Sequence, residues 1–136
     1  SDVFEETQNT FARELLRPHR SYLPVHGLIQ KGLIKGCAHI TGGGFYDNVD
    51  RVLPSDCNAV VDAKTWIPDP IFSWLQRNGN VENEEMYHTF NMGIGFVLAV
   101  DPNNADTVLK SRELEGFEPV VIGNVVKGNA SVVVEF

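Results

Sequence analysis

The chain has 136 residues, 43% of them hydrophobic and 10% aromatic, which suits one globular domain with its own core. Lys and Arg total 11 against 18 Asp and Glu, a net charge of -7, and this argues against a nucleic-acid partner. Cys37 and Cys57 lack the spacing of a disulfide framework or a zinc site, no apolar run is long enough to span a bilayer, and the acidic start (Asp2, Glu5, Glu6) is the opposite of a signal-peptide head; a reducing cytoplasm fits.

Along the chain, Phe11, Leu15 and Leu16 fall at i, i+4 and i+5 and predict a short helix over 6–16, which Pro18 ends. Tyr22, Val25, Leu28 and Ile29 continue the helical period in a second helix, with Pro24 in its first turn and Gly32 closing it. A strand from Cys37 to Ile40 breaks into Gly42-Gly43-Gly44, after which Phe45, Val49, Val52 and Leu53 share one helical face until Pro54. Asn58 to Asp62 alternates as a strand. Asp69 as cap, Pro70 at the first helical position, apolar Ile71, Phe72, Trp74 and Leu75, and Gly79 past the end predict another helix. Glu84 to His88 forms a short turn, and Ile94 to Val100 reads as a strand buried on both faces and broken by Asp101-Pro102. Ala105, Val108 and Leu109, with residues 112–116, suggest a helix, and Val120 to Val126 with Ser131 to Phe136 a terminal hairpin around Lys127-Gly128-Asn129. Strands and helices interleave, so the expected fold is α+β (α/β layered), a mixed sheet covered by helices.

The strand-to-glycine-to-helix junction is suited to an anion. Glycines let backbone N–H groups approach a ligand closely, and the first turn of a helix carries unspent donors with partial positive charge. Such donors act locally, which reconciles an acidic chain with an anionic ligand. If strand alternation holds, His39 and Thr41 project from one face, where an imidazole and a hydroxyl can meet a substrate. Asn48 in the following helix reads as solvent-facing, and Trp66, Phe72 and Trp74 as packing aromatics.

Four segments carry a family resemblance: Pro18-His-Arg-Ser-Tyr22, His39-Ile-Thr-Gly-Gly-Gly44, Trp66-Ile-Pro-Asp-Pro-Ile-Phe72, and Glu85-Met-Tyr-His-Thr-Phe-Asn-Met-Gly-Ile-Gly95. In order and combination they resemble the carboxy-terminal domain of the aminoimidazole ribonucleotide synthetases, or phosphoribosylformylglycinamidine cyclo-ligases, from about Leu15 to the end. The resemblance implies an ATP-dependent ring closure of formylglycinamidine ribonucleotide to aminoimidazole ribonucleotide in purine biosynthesis, with ADP and phosphate as the other products. Phosphorylating the formyl oxygen makes it a leaving group, so the amidine nitrogen can attack and expel phosphate. Positioning and charge stabilisation dominate such chemistry. ATP and Mg2+ are expected mainly on an amino-terminal domain that the chain lacks, together with a Ser-Ser-Gly-x-His-Ser-Asn-Gly loop. Residues 1–136 thus read as a single, amino-terminally incomplete domain, inactive alone, from an enzyme expected to be a cytoplasmic homodimer.

On this reading Thr41, Gly42, Gly43 and Gly44 bind a phosphate, and His39 serves hydrogen bonding or proton transfer. Glu85 is a candidate base or anchor; Thr89 and Asn91 offer a hydroxyl and an amide to the base portion, and Gly93 and Gly95 mark a close approach by ligand or backbone. No metal ligand is assigned. The competing expectations are another ATP-dependent member of the superfamily and a non-catalytic phosphate-ligand binding module.

Overall fold

The computed structural model describes residues 3–4 and 7–136. Strands β1 (Val3–Phe4) and β2 (Asn9–Thr10) pair antiparallel and lead into α1 (Phe11–Leu15). Thr10 caps this helix by accepting the Arg13 N–H at 3.3 Å. The helix is shorter than the sequence predicts because part of that span is spent on the pairing of β1 with β2, and Glu6 lies outside the described residues. Phe4, buried, packs on Phe11 and on Trp74.

Helix α2 (Val25–Gln30) begins at Pro24, as its fixed φ allows, and Gly32 at φ +69° turns the chain into β3 (Ile34–His39). β3 pairs antiparallel with β5 (Phe96–Val100), His39 opposite Phe96 and Ala38 opposite Val97. Every residue of β5 is half-buried, not buried as its hydrophobicity suggests, since this sheet has two strands. Its two faces nonetheless serve two cores: Val97 joins one, while Phe96, Leu98 and Val100 join the other around Val25, Leu28, Val108 and Leu114.

The second sheet corrects the expected terminal hairpin. Strands β6 (Gly123–Lys127) and β7 (Val132–Glu135) do not pair with each other; β4 (Cys57–Asp62) lies between them, antiparallel to β6 and parallel to β7. The connecting loop wraps the start of β4, where the Asn58 side chain accepts the N–H groups of Asn129 (2.8 Å) and Ser131 (2.9 Å). The amide oxygen thus supplies the partner that hairpin residues would otherwise find in each other.

Helices α3 (Gly44–Val49), α4 (Pro70–Gly79) and α5 (Asn83–Thr89) enclose the main core of Ala38, Ile40, Phe45, Val49, Met86 and Tyr87 with this sheet. A 3-10 turn, Asp50–Val52, extends α3 and leaves Val52 exposed, off the expected apolar face. Asp69 precedes α4 as expected, yet its carboxylate takes Arg17 at 2.5 Å instead of capping, and Asn80, at φ 49°, supplies the C-cap rather than Gly79. Helix α6 (Ala105–Leu109) is flanked by 3-10 turns at Pro102–Asn104 and Arg112–Leu114, so the predicted helical stretch is broken in two, α6 and the second of these turns.

Two predictions test these packings. A Cβ at Gly123 would stand 1.9 Å from the Val60 carbonyl oxygen, so Gly123→Ala should lower unfolding free energy in urea by about 2 kcal/mol or more; an unchanged midpoint would show that β6 does not lie against β4. Glu113, hydrogen-bonded by Lys31, by Ser111 and by a backbone N–H, has its carboxyl lowered from the ordinary 4.5 to about 2. A folded-state value below the unfolded one means that the stability this group supplies is present above pH 4.5 and drains as pH falls toward 2. Thermal melts in that window should fall more steeply for the parent chain than for Glu113→Gln, and parallel slopes would contradict the assignment.

Candidate functional site

The ends of β3 and β5 build the site. Ile40, buried, donates its N–H to the Gly95 carbonyl at 2.9 Å, which continues the ladder one residue past His39 and sets the Thr41 corner beside the start of β5. His39 and Thr41 are both exposed, as alternation around buried Ala38 and Ile40 requires.

The three glycines have three different tasks. Gly42 has open space where a Cβ would sit. Gly43 caps α3 at φ 93°, a left-handed conformation, and a Cβ there would meet the Asp47 side chain at 2.6 Å. Gly44 lies against α5 so closely that a Cβ would stand 1.9 Å from the Tyr87 carbonyl oxygen. Its N–H is already spent on the Thr41 carbonyl at 3.0 Å. The N–H groups of Gly42 and Gly43, by contrast, have no protein acceptor among the described residues. The Asp47 side chain lies against Gly43, so its carboxylate opposes an anion on that flank of the corner.

Asn48 overturns its reading as a surface residue. It is 6% exposed, and its side-chain amide donates to the carbonyls of Gly44 (2.7 Å), Gly42 (3.2 Å) and Thr41 (3.4 Å). Two hydrogens thus serve three acceptors, the longer contacts sharing one. Turning these carbonyls inward leaves the intervening amides on the opposite side of the loop.

The second constellation closes on the first through Gly44 and Gly95. Asn91 to Ile94 is a tight turn, with the Ile94 N–H bonded to the Asn91 carbonyl at 2.9 Å and both central residues, Met92 (φ 50°) and Gly93 (φ 92°), left-handed. The Asn91 carboxamide oxygen accepts the Gly93 N–H at 2.9 Å, which leaves its NH2 outside that bond. Trp66 braces the turn by donating its indole N–H to the Met92 carbonyl at 2.9 Å. Glu85 and Thr89 are exposed on α5 and bonded to each other at 3.2 Å, one turn apart.

The close approach at Gly95 is made by Tyr22, whose hydroxyl would stand 1.8 Å from a Cβ there. Tyr22 stacks on Phe96 with centroids 4.8 Å apart and meets His39 edge-on at 5.6 Å. Burial raises its phenol, keeping it a neutral donor. Arg20 lies 4.5 Å over Phe117 and donates to the Gly116 carbonyl at 2.6 Å, anchoring the same segment. His19 completes the cluster, its Nε2 3.0 Å from Nε2 of His39. Sequence reasoning gave no site role to His19, Tyr22 or Asn48: the first two stand in a quoted motif far from His39 along the chain, and the last carries a residue type common on helix surfaces.

With this geometry in view, residues 2–135 match the family described as AIR synthase related protein, C-terminal domain, and the chain belongs to that family. Among curated proteins it is similar to the phosphoribosylformylglycinamidine cyclo-ligases of Lachnospira eligens (44% identical over 131 residues, 95% of this chain and 38% of the relative), Caldicellulosiruptor saccharolyticus (43% over 132, 96% and 39%) and Bacillus subtilis (43% over 127, 93% and 37%). The chain therefore spans well under half the length of these relatives.

The glycines are separable by mutation. Gly44→Ala, facing both a backbone clash and positive φ, should cost about 3 kcal/mol in urea unfolding, whereas Gly42→Ala should stay within about 0.5 kcal/mol of the parent. Equal costs would contradict this division of labour.

Proposed function

We propose that the chain is the substrate-side domain of an ATP-dependent cyclo-ligase, one that closes formylglycinamidine ribonucleotide to aminoimidazole ribonucleotide with release of ADP and phosphate. The observation that carries this is the corner itself: Asn48 holds Thr41 to Gly44, and the Gly42 and Gly43 amides have no protein partner among the described residues, next to an exposed His39. The similarity to phosphoribosylformylglycinamidine cyclo-ligases supports this choice of reaction.

In this reading Thr41 donates its hydroxyl, and Gly42 and Gly43 their N–H groups, to a phosphate of the ribonucleotide. Gly44 and Gly95 contribute shape, since each admits a neighbour that a side chain would displace. Asn91 presents its NH2 to the base portion, and the turn at Gly93 fixes where that group sits. His39 takes the proton that the amidine nitrogen sheds as the ring closes, and Glu85, oriented by Thr89, serves at the rim as anchor or second base. Placing reactive groups this way lowers the barrier mainly by removing orientational freedom.

Among the described residues no three His, Cys, Asp or Glu side chains cluster. In this reading ATP and Mg2+ are held mainly by an amino-terminal domain of the longer protein. Exposed Val121, Val125 and Val133 support a further covering surface, consistent with that domain or with a homodimer in the intact enzyme. A cytoplasmic location belongs to this reading through the purine-biosynthetic relatives, and no described helix is long and apolar enough to cross a membrane.

Mixing the chain with the separately made ATP domain of such an enzyme and assaying ring closure tests the reading. Aminoimidazole ribonucleotide and ADP should form together, and His39→Ala should slow the mixture by about 10²-fold or more. Turnover of selenide instead, or ring closure indifferent to both His39→Ala and Gly42→Ala, would overturn it.

A further inference from the structure

The closest polar contact of His39 is with another imidazole. Nε2 of His19 lies 3.0 Å from Nε2 of His39, a hydrogen-bond separation that requires one ring to donate and the other to accept. The pair is held from several sides: His39 is fixed by its strand register opposite Phe96, Tyr22 packs edge-on against both rings at 5.6 Å, and Arg20 ties the segment carrying His19 to Gly116. The rings stand 5.0 Å apart at 75°, so one meets the other edge-on with a ring nitrogen leading.

Resting on the cyclo-ligase reading, we propose that His19 is a positioning residue for His39: it occupies Nε2, fixes the tautomer, and leaves Nδ1 as the nitrogen that faces substrate. Either direction of the hydrogen bond leaves Nδ1 as the free nitrogen, and each direction sets one tautomer. When His19 donates, His39 carries its proton on Nδ1; when His39 donates, Nδ1 holds the lone pair and acts as a base. The second arrangement suits proton removal during ring closure. A proton taken at Nδ1 of His39 lets the Nε2 proton pass to Nε2 of His19, whose own Nδ1 proton leaves to water, so each ring ends neutral and the proton count balances. The function of His19 is therefore orientation and relay, without contact with substrate.

Ring-nitrogen spectra of the 15N-labelled chain decide the dyad. At alkaline pH the parent should show His39 in a single tautomer with a displaced Nε2 resonance. His19→Ala should lose that pattern for the mixture of a solvated imidazole, and His19→Gln, whose amide can donate or accept, should restore it. A His39 spectrum unchanged by His19→Ala overturns the dyad, and unaltered backbone amide spectra establish that the variants fold. In the mixture with the ATP domain, His19→Ala should lower kcat about 10-fold to 100-fold at constant KM, with recovery in His19→Gln. Full kcat in His19→Ala overturns the positioning function. A parent mixture that turns over selenide instead of closing the ring, with the tautomer lock intact, overturns the cyclo-ligase reading and leaves the dyad standing.

Discussion

One buried side-chain amide organises the corner on which everything else depends. Asn48 sits in α3 and reaches back to two carbonyls of the preceding loop, Thr41 and Gly42, and to that of Gly44 at the start of its own helix. A carbonyl turned into the protein needs a donor, and a buried orphan costs about 1–3 kcal/mol. The clamp offsets that cost and selects which side of each peptide faces outward. It also fixes the distance between the end of β3 and the start of α3, so Gly44 is pressed on the α5 backbone at Tyr87.

The surrounding architecture brings distant segments to this point. The β3–β5 pair separates two apolar clusters, and its far end is where His39, Gly95 and the Tyr22 segment converge. Each cluster thus supports one wall of the site, which gives exposed residues rigid backing. Charge works at the same short range: a chain of net charge -7 repels an anion as a whole, and Asp47 does so beside Gly43, leaving two outward amides and a hydroxyl as the attraction. Such a balance favours a ligand that brings further contacts, through its base and ribose, over a bare anion.

Much of this was legible in the sequence because it is local. The glycine corner, the Asp69-Pro70 helix entry and the pairing of turn residues with hydrophobic periods depend on neighbours along the chain. The illegible parts are those decided across space. Val120 to Phe136 has the spacing of a hairpin, yet β4 intervenes because its own edges need partners on both sides. Asn48 reads as polar and therefore outward, since its partners are carbonyls, which leave no mark in the sequence. Gly44 and Gly95 announce close approach without naming the visitor, α5 backbone in one case and the Tyr22 hydroxyl in the other. The contact of His19 with His39 joins residues that no periodicity relates.

The central claim is that the clamped corner offers the Gly42 and Gly43 amides, and not that of Gly44, to a phosphate-bearing ligand. Backbone amide spectra of the chain titrated with formylglycinamidine ribonucleotide measure this directly. The account predicts saturable shifts at Gly42 and Gly43, with Gly44 held near its free position by its bond to Thr41. Saturable binding whose shifts cluster elsewhere, with Gly42 and Gly43 unmoved, would contradict it.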